Sequence, residues 1–412
     1  MTLPSTTPTP SATGPLAGIR VLDLTSVVLG PLATQILGDY GADVVKIESL
    51  DGDLMRANGV SLHPGMSSIF LAINRNKRSV AVDLKTAAGR DAVLQLVAGA
   101  DVLVHNMRVA AIERLGLGYA AVSTMKPDIV YCAATGFGQS GPDAHRPAFD
   151  DVIQAACGMA ALIGVGREQP DFAPTLLADK TAGMAVVNAV LAALLHKART
   201  GVGQYVEVPM LETLVAFTLA EHLGGRTFAP ATAPAGYARL LGGGRKPAPT
   251  LDGAVAILPY SGEHWVGLFT AAGRPDLIAK YNLHDRAERN ARITELYADL
   301  ASVTRLMATA DLLALCDRLD MAATRLYAID ELQNHPHLQA VGLFQPLQHP
   351  SEGATITVRP PTLFARTPAS VRCGAPQIGQ HTLQVLAEAG ISPDALSRLL
   401  ASGVIRQTDA TG

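Results

Sequence analysis

The chain is expected to be an α/β protein with a large parallel-sheet, Rossmann-like domain and a smaller α+β domain. Three observations predict this. Short β-branched runs alternate with helical stretches through the first half, the pattern of a parallel sheet with right-handed crossovers. The length of 412 residues exceeds what one ordinary core fills, so two domains are expected. A stretch rich in Gly, Ala and Pro then separates two patterned regions, as a linker does.

Taken in order, residues 1–14 are rich in Thr, Ser and Pro and read as a disordered tail. Strands are expected at Ile19–Leu24, Asp43–Ile47, Ser79–Leu84, Asp101–Val104 and Asp128–Cys132, with helices over Pro31–Gly38, Ala87–Ala98 and Tyr119–Met125. An alanine-rich helix runs to about Lys197 and is apolar almost all round, which predicts burial. A strand at Gln204–Met210 and a helix over Leu211–Leu223 complete a large α/β domain spanning 15–224, with the linker at 225–253. The small domain (254–345) is expected to hold a strand at Ala254–Leu258, helices over Glu263–Ala272, Ala287–Ala301 and Leu306–Leu319, and a strand at Tyr327–Ile329. Residues 346–412 return to the large domain, with paired strands around Glu352-Gly353 and short helices over His381–Ala389 and Pro393–Leu400. Ligand is expected at the carboxyl ends of the sheet strands.

Composition narrows the function classes. The formal charge of −3 without a basic run argues against a nucleic-acid partner. Cys132, Cys157, Cys316 and Cys373 are far apart and form no C-x-x-C pair, so neither a metal site nor a disulfide framework is expected, and a reducing cytoplasm fits. His335-Pro-His337 reads as a turn rather than a metal pair, because Pro336 intervenes and no further ligands lie near. The longest apolar run, Met184–Leu195, falls short of a bilayer span, so a soluble protein with no membrane partner is expected. Gly136-Phe-Gly-Gln-Ser-Gly141 matches G-x-G-x-x-G literally, but Pro142 follows and no helix opens on the third glycine. A dinucleotide site needs that helix, so the stretch is read as a turn that brings backbone close to some ligand.

Asp179 draws the eye because it stands alone between an apolar segment and the mouth of the alanine-rich helix. Two roles fit: an N-cap, for which Asp is favoured, and a nucleophile kept ionised by the helix dipole.

Several short motifs then occur in one order: Leu16-Ala-Gly-Ile-Arg-Val-Leu-Asp-Leu24, Gly30-Pro31, Gly41-Ala-Asp-Val-Val-Lys-Ile-Glu48, Asn76-Lys-Arg-Ser79, Asp83-Leu-Lys-Thr86, Gly136–Pro142, Asp179–Gly183, Thr200-Gly-Val-Gly-Gln-Tyr205 and Gly379-Gln-His-Thr382. In these the chain resembles the class III CoA-transferases, which include formyl-CoA:oxalate and carnitine CoA-transferases and, as a side branch, α-methylacyl-CoA racemase. The resemblance covers about residues 15–400. It implies that Asp179 attacks a donor acyl-CoA thioester to give an aspartyl mixed anhydride, after which an acceptor carboxylic acid takes up the CoA. Backbone N–H groups near the thioester would stabilise the oxyanion. The resemblance further places Lys85, Asn106, Met107, Ala111 and Arg114 along the CoA, and Val28, Leu29, Gly138, Phe149 and Asp150 near the acyl group. Lys77 and Arg78 fit either phosphate contacts or a solvated basic run. No tightly bound cofactor is implied, coenzyme A entering as the acyl-CoA substrate. The partners implied are an acyl-CoA, a small carboxylic acid and a second copy of the chain, the two copies interlocked like linked rings. Gly224–Gly253 and Pro346–Pro361 would be the two passages joining the domains.

Departures from the family pattern bear on the substrate. Val28 stands where the oxalate-specific enzyme has Gln, Ser49 replaces an Arg near the adenine, and Gly242-Gly-Gly244 matches either a mobile glycine loop or a plain linker. In the racemase branch a His-Asp pair works with the downstream Asp, whereas the matching pair here is Phe149-Asp150, and phenylalanine carries no proton. His145, four residues earlier, reads as a loop residue. CoA transfer is therefore preferred over racemisation, and the presence of Asp179 argues against a non-catalytic CoA-binding protein.

Overall fold

The computed structural model describes residues 13–242 and 244–408. Most of the expected tail and Gly243 of the glycine triplet lie outside the described residues. Six strands, β1 (Arg20–Leu24), β2 (Asp43–Glu48), β3 (Lys77–Val82), β4 (Val102–His105), β5 (Val130–Thr135) and β6 (Gln204–Pro209), form one parallel sheet in the order β3-β2-β1-β4-β5-β6. A short antiparallel strand, Ile405–Arg406, pairs with the outer edge of β3. This is the doubly wound order, in which the chain reverses direction between β1 and β4 and leaves a crevice at their carboxyl ends.

The sheet is buried on both faces, which explains why its strands read as near-continuous apolar runs. Alternate residues serve different cores. Val21, Val44, Val102, Val104 and Cys132 face one cluster with helices α1 (Leu29–Asp39) and α3 (Leu177–Thr200), while Leu22, Val45, Leu103 and Tyr131 face the other, with the helices Ala87–Ala98, Tyr119–Met125 and Thr382–Glu388. Helix α2 (Asp150–Ala156) lies between β5 and α3 in sequence and packs on α3.

Helix α3 is 24 residues long and ends at Gly201, whose left-handed backbone serves as the C-terminal stop. By length and composition it is apolar enough to cross a membrane. Its buried stripe, Ala178, Ala182, Val186, Val190 and Ala193, nevertheless packs against α1, β5 and β6. The opposite side leaves Met184 and Leu195 about half exposed, so the expected all-round burial does not hold. Gly183 has a packing role: a Cβ there would come within 2.8 Å of the Leu29 carbonyl oxygen, so only glycine lets α3 lie this close to the start of α1.

Strand β3 starts two residues before its expected position, because Lys77 and Arg78 belong to it. Lys77 is fully buried and donates to Asp23 at 2.9 Å, to the Pro31 carbonyl and to Asn74. Arg78 pairs with Asp43 and Glu388. Neither is a solvated residue: both cations are committed to carboxylates of the fold. Burial alone would raise the Asp23 carboxyl, but Lys77 and Lys46 hold it below the usual carboxylate range. Removing one partner from such a buried pair costs about 3–5 kcal/mol.

The chain divides into two compact units, the first comprising 13–159, 172–217 and 339–408 and the second 160–171 and 218–338. The second is α+β, with the three strands Ala248–Pro249, Ala254–Ile257 and Ala323–Arg325 in an antiparallel sheet and a core around Trp265, Phe269, Leu296, Leu300 and Leu312. The strand expected at Tyr327–Ile329 lies earlier, and Ile329 opens a 3-10 turn. Residues 225–253, expected as a linker, belong to this unit and supply the short helix Ala238–Leu241 and an edge strand. Within the first unit, Phe344–His349 and Gly353–Val358 pair as an antiparallel hairpin, the paired strands expected around Glu352-Gly353.

Candidate active site

A cavity of about 300 Å³ opens at the carboxyl ends of the sheet strands. Ser26 and Val27 follow β1, Asn106 and Met107 follow β4, Thr135 ends β5 and Met210 follows β6. All lie where the reversal of strand order predicts a ligand. Helix α3 contributes Asp179 to the lining and α1 contributes Leu29. The close seat of Gly183 on Leu29 explains the meeting, since Asp179 lies one turn earlier on the same face of α3.

Asp179 is not a cap. The N-cap position is Leu176, which makes no side-chain cap, and Asp179 sits in the first turn proper. Its own backbone N–H is instead taken by Asp150 Oδ1 at 2.9 Å, so a neighbouring helix supplies the cap. Asp150 is in turn held by Gln154, which donates to its other oxygen and accepts from the Ala173 N–H at 2.9 Å. The Asp179 side chain stays unengaged, with no hydrogen-bond donor to its carboxylate among the described residues. Only 8 % exposed, it is pushed up to about 6, chiefly by burial and secondarily by the Asp150 charge. Desolvation outweighs the helix dipole, which was expected to hold the group low. The result is a carboxylate largely ionised at pH 7, poorly solvated and more basic than usual, the condition of a nucleophile.

Opposite it, the chain between β1 and α1 is pinned residue by residue. Asn106 accepts from the Ser26 N–H at 3.0 Å and donates to the Ser26 carbonyl at 2.8 Å. Lys46 donates to the Thr25 carbonyl at 2.9 Å, and the Val27 N–H donates to Asp53 at 3.1 Å. Val28, the N-cap of α1, has no side-chain cap. Among the described residues the N–H groups of Val28, Leu29 and Gly30 meet no protein acceptor. A helix start with free N–H groups beside a carboxylate nucleophile is equipped to hold an anionic oxygen.

Of the residues singled out from the sequence, Asp179, Asn106, Met107, Leu29 and Phe149 line this one cavity, and Asp150 braces Asp179 from behind. Lys85 is exposed in the turn before the Ala87–Ala98 helix; Ala111 and Arg114 lie on the Val109–Arg114 helix, whose N-cap, Arg108, reaches the cavity. Val28 is buried behind the lining. Gly138 does not line the cavity: its N–H donates to Glu212 at 2.9 Å, and that of Gln139 to Glu207 at 2.7 Å. The glycine motif is thus a carboxylate-tied turn with no helix opening on it. Phe149 is 63 % exposed, an open apolar lip rather than an enclosing wall. His145 is an exposed loop residue. Among the described residues no cluster of His, Cys, Asp or Glu is placed to hold a metal.

Ser26, Val27, Arg108 and Arg146 escaped the sequence reading. Arg146 has an ion pair with Asp143, and Arg108 has none among the described residues. No local signal marks Val27, whose left-handed φ of 70° is set by distant partners. Arg108 was findable, since it directly follows Asn106-Met107 at the end of a strand.

Comparison with known proteins agrees with this geometry. A sequence model of CoA-transferase family III matches residues 16–382. The probable fatty acyl-CoA transferase Rv3272 of Mycobacterium tuberculosis is 32 % identical over 392 residues, covering 92 % of this chain and 99 % of that protein. The succinate–glutarate CoA-transferase of Agrobacterium fabrum is 31 % identical, covering 92 % and 96 %. Among solved structures, that of Rv3272 superposes with a TM-score of 0.78 at 30 % identity over 90 % of this chain and 99 % of the other. A CAIB/BAIF family protein from Brucella suis gives 0.77 at 28 % over 91 % and 99 %. A parallel doubly wound sheet, an unengaged carboxylate at its switch point and a family match over nearly the whole chain lead to one assignment: the protein belongs to CoA-transferase family III and is a class III CoA-transferase.

Proposed function

We propose that the protein moves CoA from an acyl-CoA donor to a carboxylic acid through a mixed anhydride on Asp179. The observation that carries this reading is the buried Asp179 carboxylate, with no donor of its own, facing a cavity that also receives the start of α1. An Asp179 oxygen attacks the thioester carbonyl carbon, and the carbonyl electrons move onto its oxygen, stabilised by the free N–H groups of α1. Collapse expels CoA as thiolate and leaves the acyl group on Asp179. The thiolate then attacks the aspartyl carbonyl, releasing the donor acid and placing CoA on the enzyme. An acceptor carboxylate attacks that thioester, and the freed thiolate takes the new acyl group, restoring Asp179. Atoms balance without water or redox change, which suits a site that keeps its nucleophile dry.

The acids are chosen at the cavity mouth. Arg108 and Arg146 supply cations there, suited to a second carboxylate on the acid or to the phosphates of CoA. Relatives named for succinate, glutarate and mesaconate make small dicarboxylates the first acids to try. The family resemblance supports an interlocked homodimer, and the four free cysteines accord with a reducing cytoplasm.

The test is to incubate the protein with a panel of acyl-CoAs and free acids and look for new thioesters by mass spectrometry. New acyl-CoA matching an added acid supports the reading. Hydrolysis alone, or no new thioester from any pair, overturns it.

A further inference from the structure

Val27 adopts a left-handed backbone, φ 70°, which a β-branched residue tolerates only when its surroundings impose it. It does so directly before α1 and on the cavity wall. What imposes it is visible. The Val27 N–H donates to Asp53 Oδ1, which also accepts from the Met55 N–H at 3.0 Å; Asp53 Oδ2 is held by Lys46 at 2.8 Å. Lys46 and Asp53 are both buried, and Lys46 spends a second proton on the Thr25 carbonyl, in the same turn. The Asp53 backbone N–H is fixed by Glu48, itself locked to Arg56.

We infer that Asp53, clamped by Lys46, is a positioning residue that holds Val27 left-handed and so points the N–H at the start of α1, that of Leu29, at the reacting oxygen. This rests on the transferase reading for its chemistry, though not for its geometry. A purely structural pair would not need this arrangement. Glu48 with Arg56 and Asp23 with Lys77 already tie the same strand ends, and Asp23 accepts from the Thr25 N–H, yet among the described residues only Asp53 spends a carboxylate oxygen on left-handed Val27 itself. The oxyanion contacts act in the transition state rather than in the nucleotide's binding, so the effect belongs to the chemical step.

The experiment compares the parent, Asp53→Asn, Asp53→Ala and Asp53→Ala/Val27→Gly, with single-turnover acyl-enzyme formation measured on the acyl-CoA the parent uses fastest. Asp53→Ala is expected to slow that step on the order of 10²-fold, the cost of one misplaced oxyanion donor, with Kd for CoA within about threefold. Asp53→Asn keeps the acceptor for Val27 but turns an amide N–H donor toward Lys46, so it is expected between the parent and Asp53→Ala, within about tenfold of the parent. Val27→Gly in the Ala background restores tenfold or more, because glycine adopts the left-handed turn without strain. A merely structural Asp53 predicts no rescue, since glycine would only loosen the turn further. Parent-like rates in Asp53→Ala, or no rescue by glycine, overturn the inference. If Asp53→Ala does not fold, Asp53→Asn decides: a rate within about tenfold of the parent supports the anchor and a loss on the order of 10²-fold refutes it. A crystal structure of the Ala variant, or of Asp53→Asn in its place, judges the geometry alone. A turn at residue 27 that stays left-handed without an acceptor, or leaves that conformation with one, contradicts the account even if the parent shows no transfer on any donor.

Discussion

Replacing Asp179 with asparagine removes a charge that the fold holds at a cost. Burial first and Asp150 second raise this carboxyl from 3.8 to about 6, and at ~1.36 kcal/mol per pH unit the rise corresponds to about 3 kcal/mol. The sign follows from proton counts. Between pH 3.8 and 6 the folded state binds a proton on Asp179 that the unfolded chain has released, so stability falls as pH rises through this window and the deficit is complete above it. Asparagine carries no such deficit. Urea unfolding of parent and Asp179→Asn from pH 3.5 to 8 at fixed ionic strength should give equal stability at the acid end. The gap should then open in favour of asparagine to as much as about 3 kcal/mol at pH 7 and above, at unchanged m-value. An asparagine variant no more stable than the parent at pH 7.5 would refute the reasoning, and a less stable one would mean the carboxylate serves the fold as a cap does.

The same ionisation should set the acid limb of catalysis: kcat/KM for acyl transfer rises with pH and levels off above about 6, and a flat profile from pH 5 to 7 would speak against an Asp179 nucleophile. Gly183→Ala gains up to about 1 kcal/mol of helix propensity but drives a Cβ to 2.8 Å from the Leu29 carbonyl. Backbone cannot yield cheaply there, so a net loss of about 1–3 kcal/mol is expected by thermal unfolding, with slower transfer. With 2-methylacyl-CoA in deuterated water, no deuterium should enter the α-carbon, because Phe149 offers no second acid/base group opposite Asp179; rapid exchange by NMR without any acceptor acid would promote a racemase reading.

Much of the sheet was legible because its strands are buried on both faces, and apolar β-branched runs are hard to place otherwise. The slip at β3 has a specific cause. Lys77 reads as solvent-facing by composition, yet it is buried, and Asp23, more than fifty residues away, offsets part of the desolvation that pushes the amine down to about 8. Asp179 stood out because it breaks an apolar context, but its role relative to the helix did not follow from that. The cap comes from Asp150 on α2, a contact across the fold that no local pattern encodes. Val27 shows the limit most clearly: its backbone is set by Asp53, Lys46 and Asn106, which come from three other segments. The second unit was read as helices and short strands in roughly their places, whereas its first segment, 160–171, returns from the middle of the other unit, and nothing in those twelve residues announces it.

The central claim is a covalent acyl group on Asp179, and trapping tests it most directly. The protein is mixed with a donor acyl-CoA and hydroxylamine, digested and read by peptide mass spectrometry, with Asp179→Ala as control. The account predicts a hydroxamate on Asp179 only when acyl-CoA is present, and none in the control, whose CoA binding stays within a few fold of the parent. Transfer that proceeds at the parent rate in Asp179→Ala, or a hydroxamate on a different carboxylate, would contradict it.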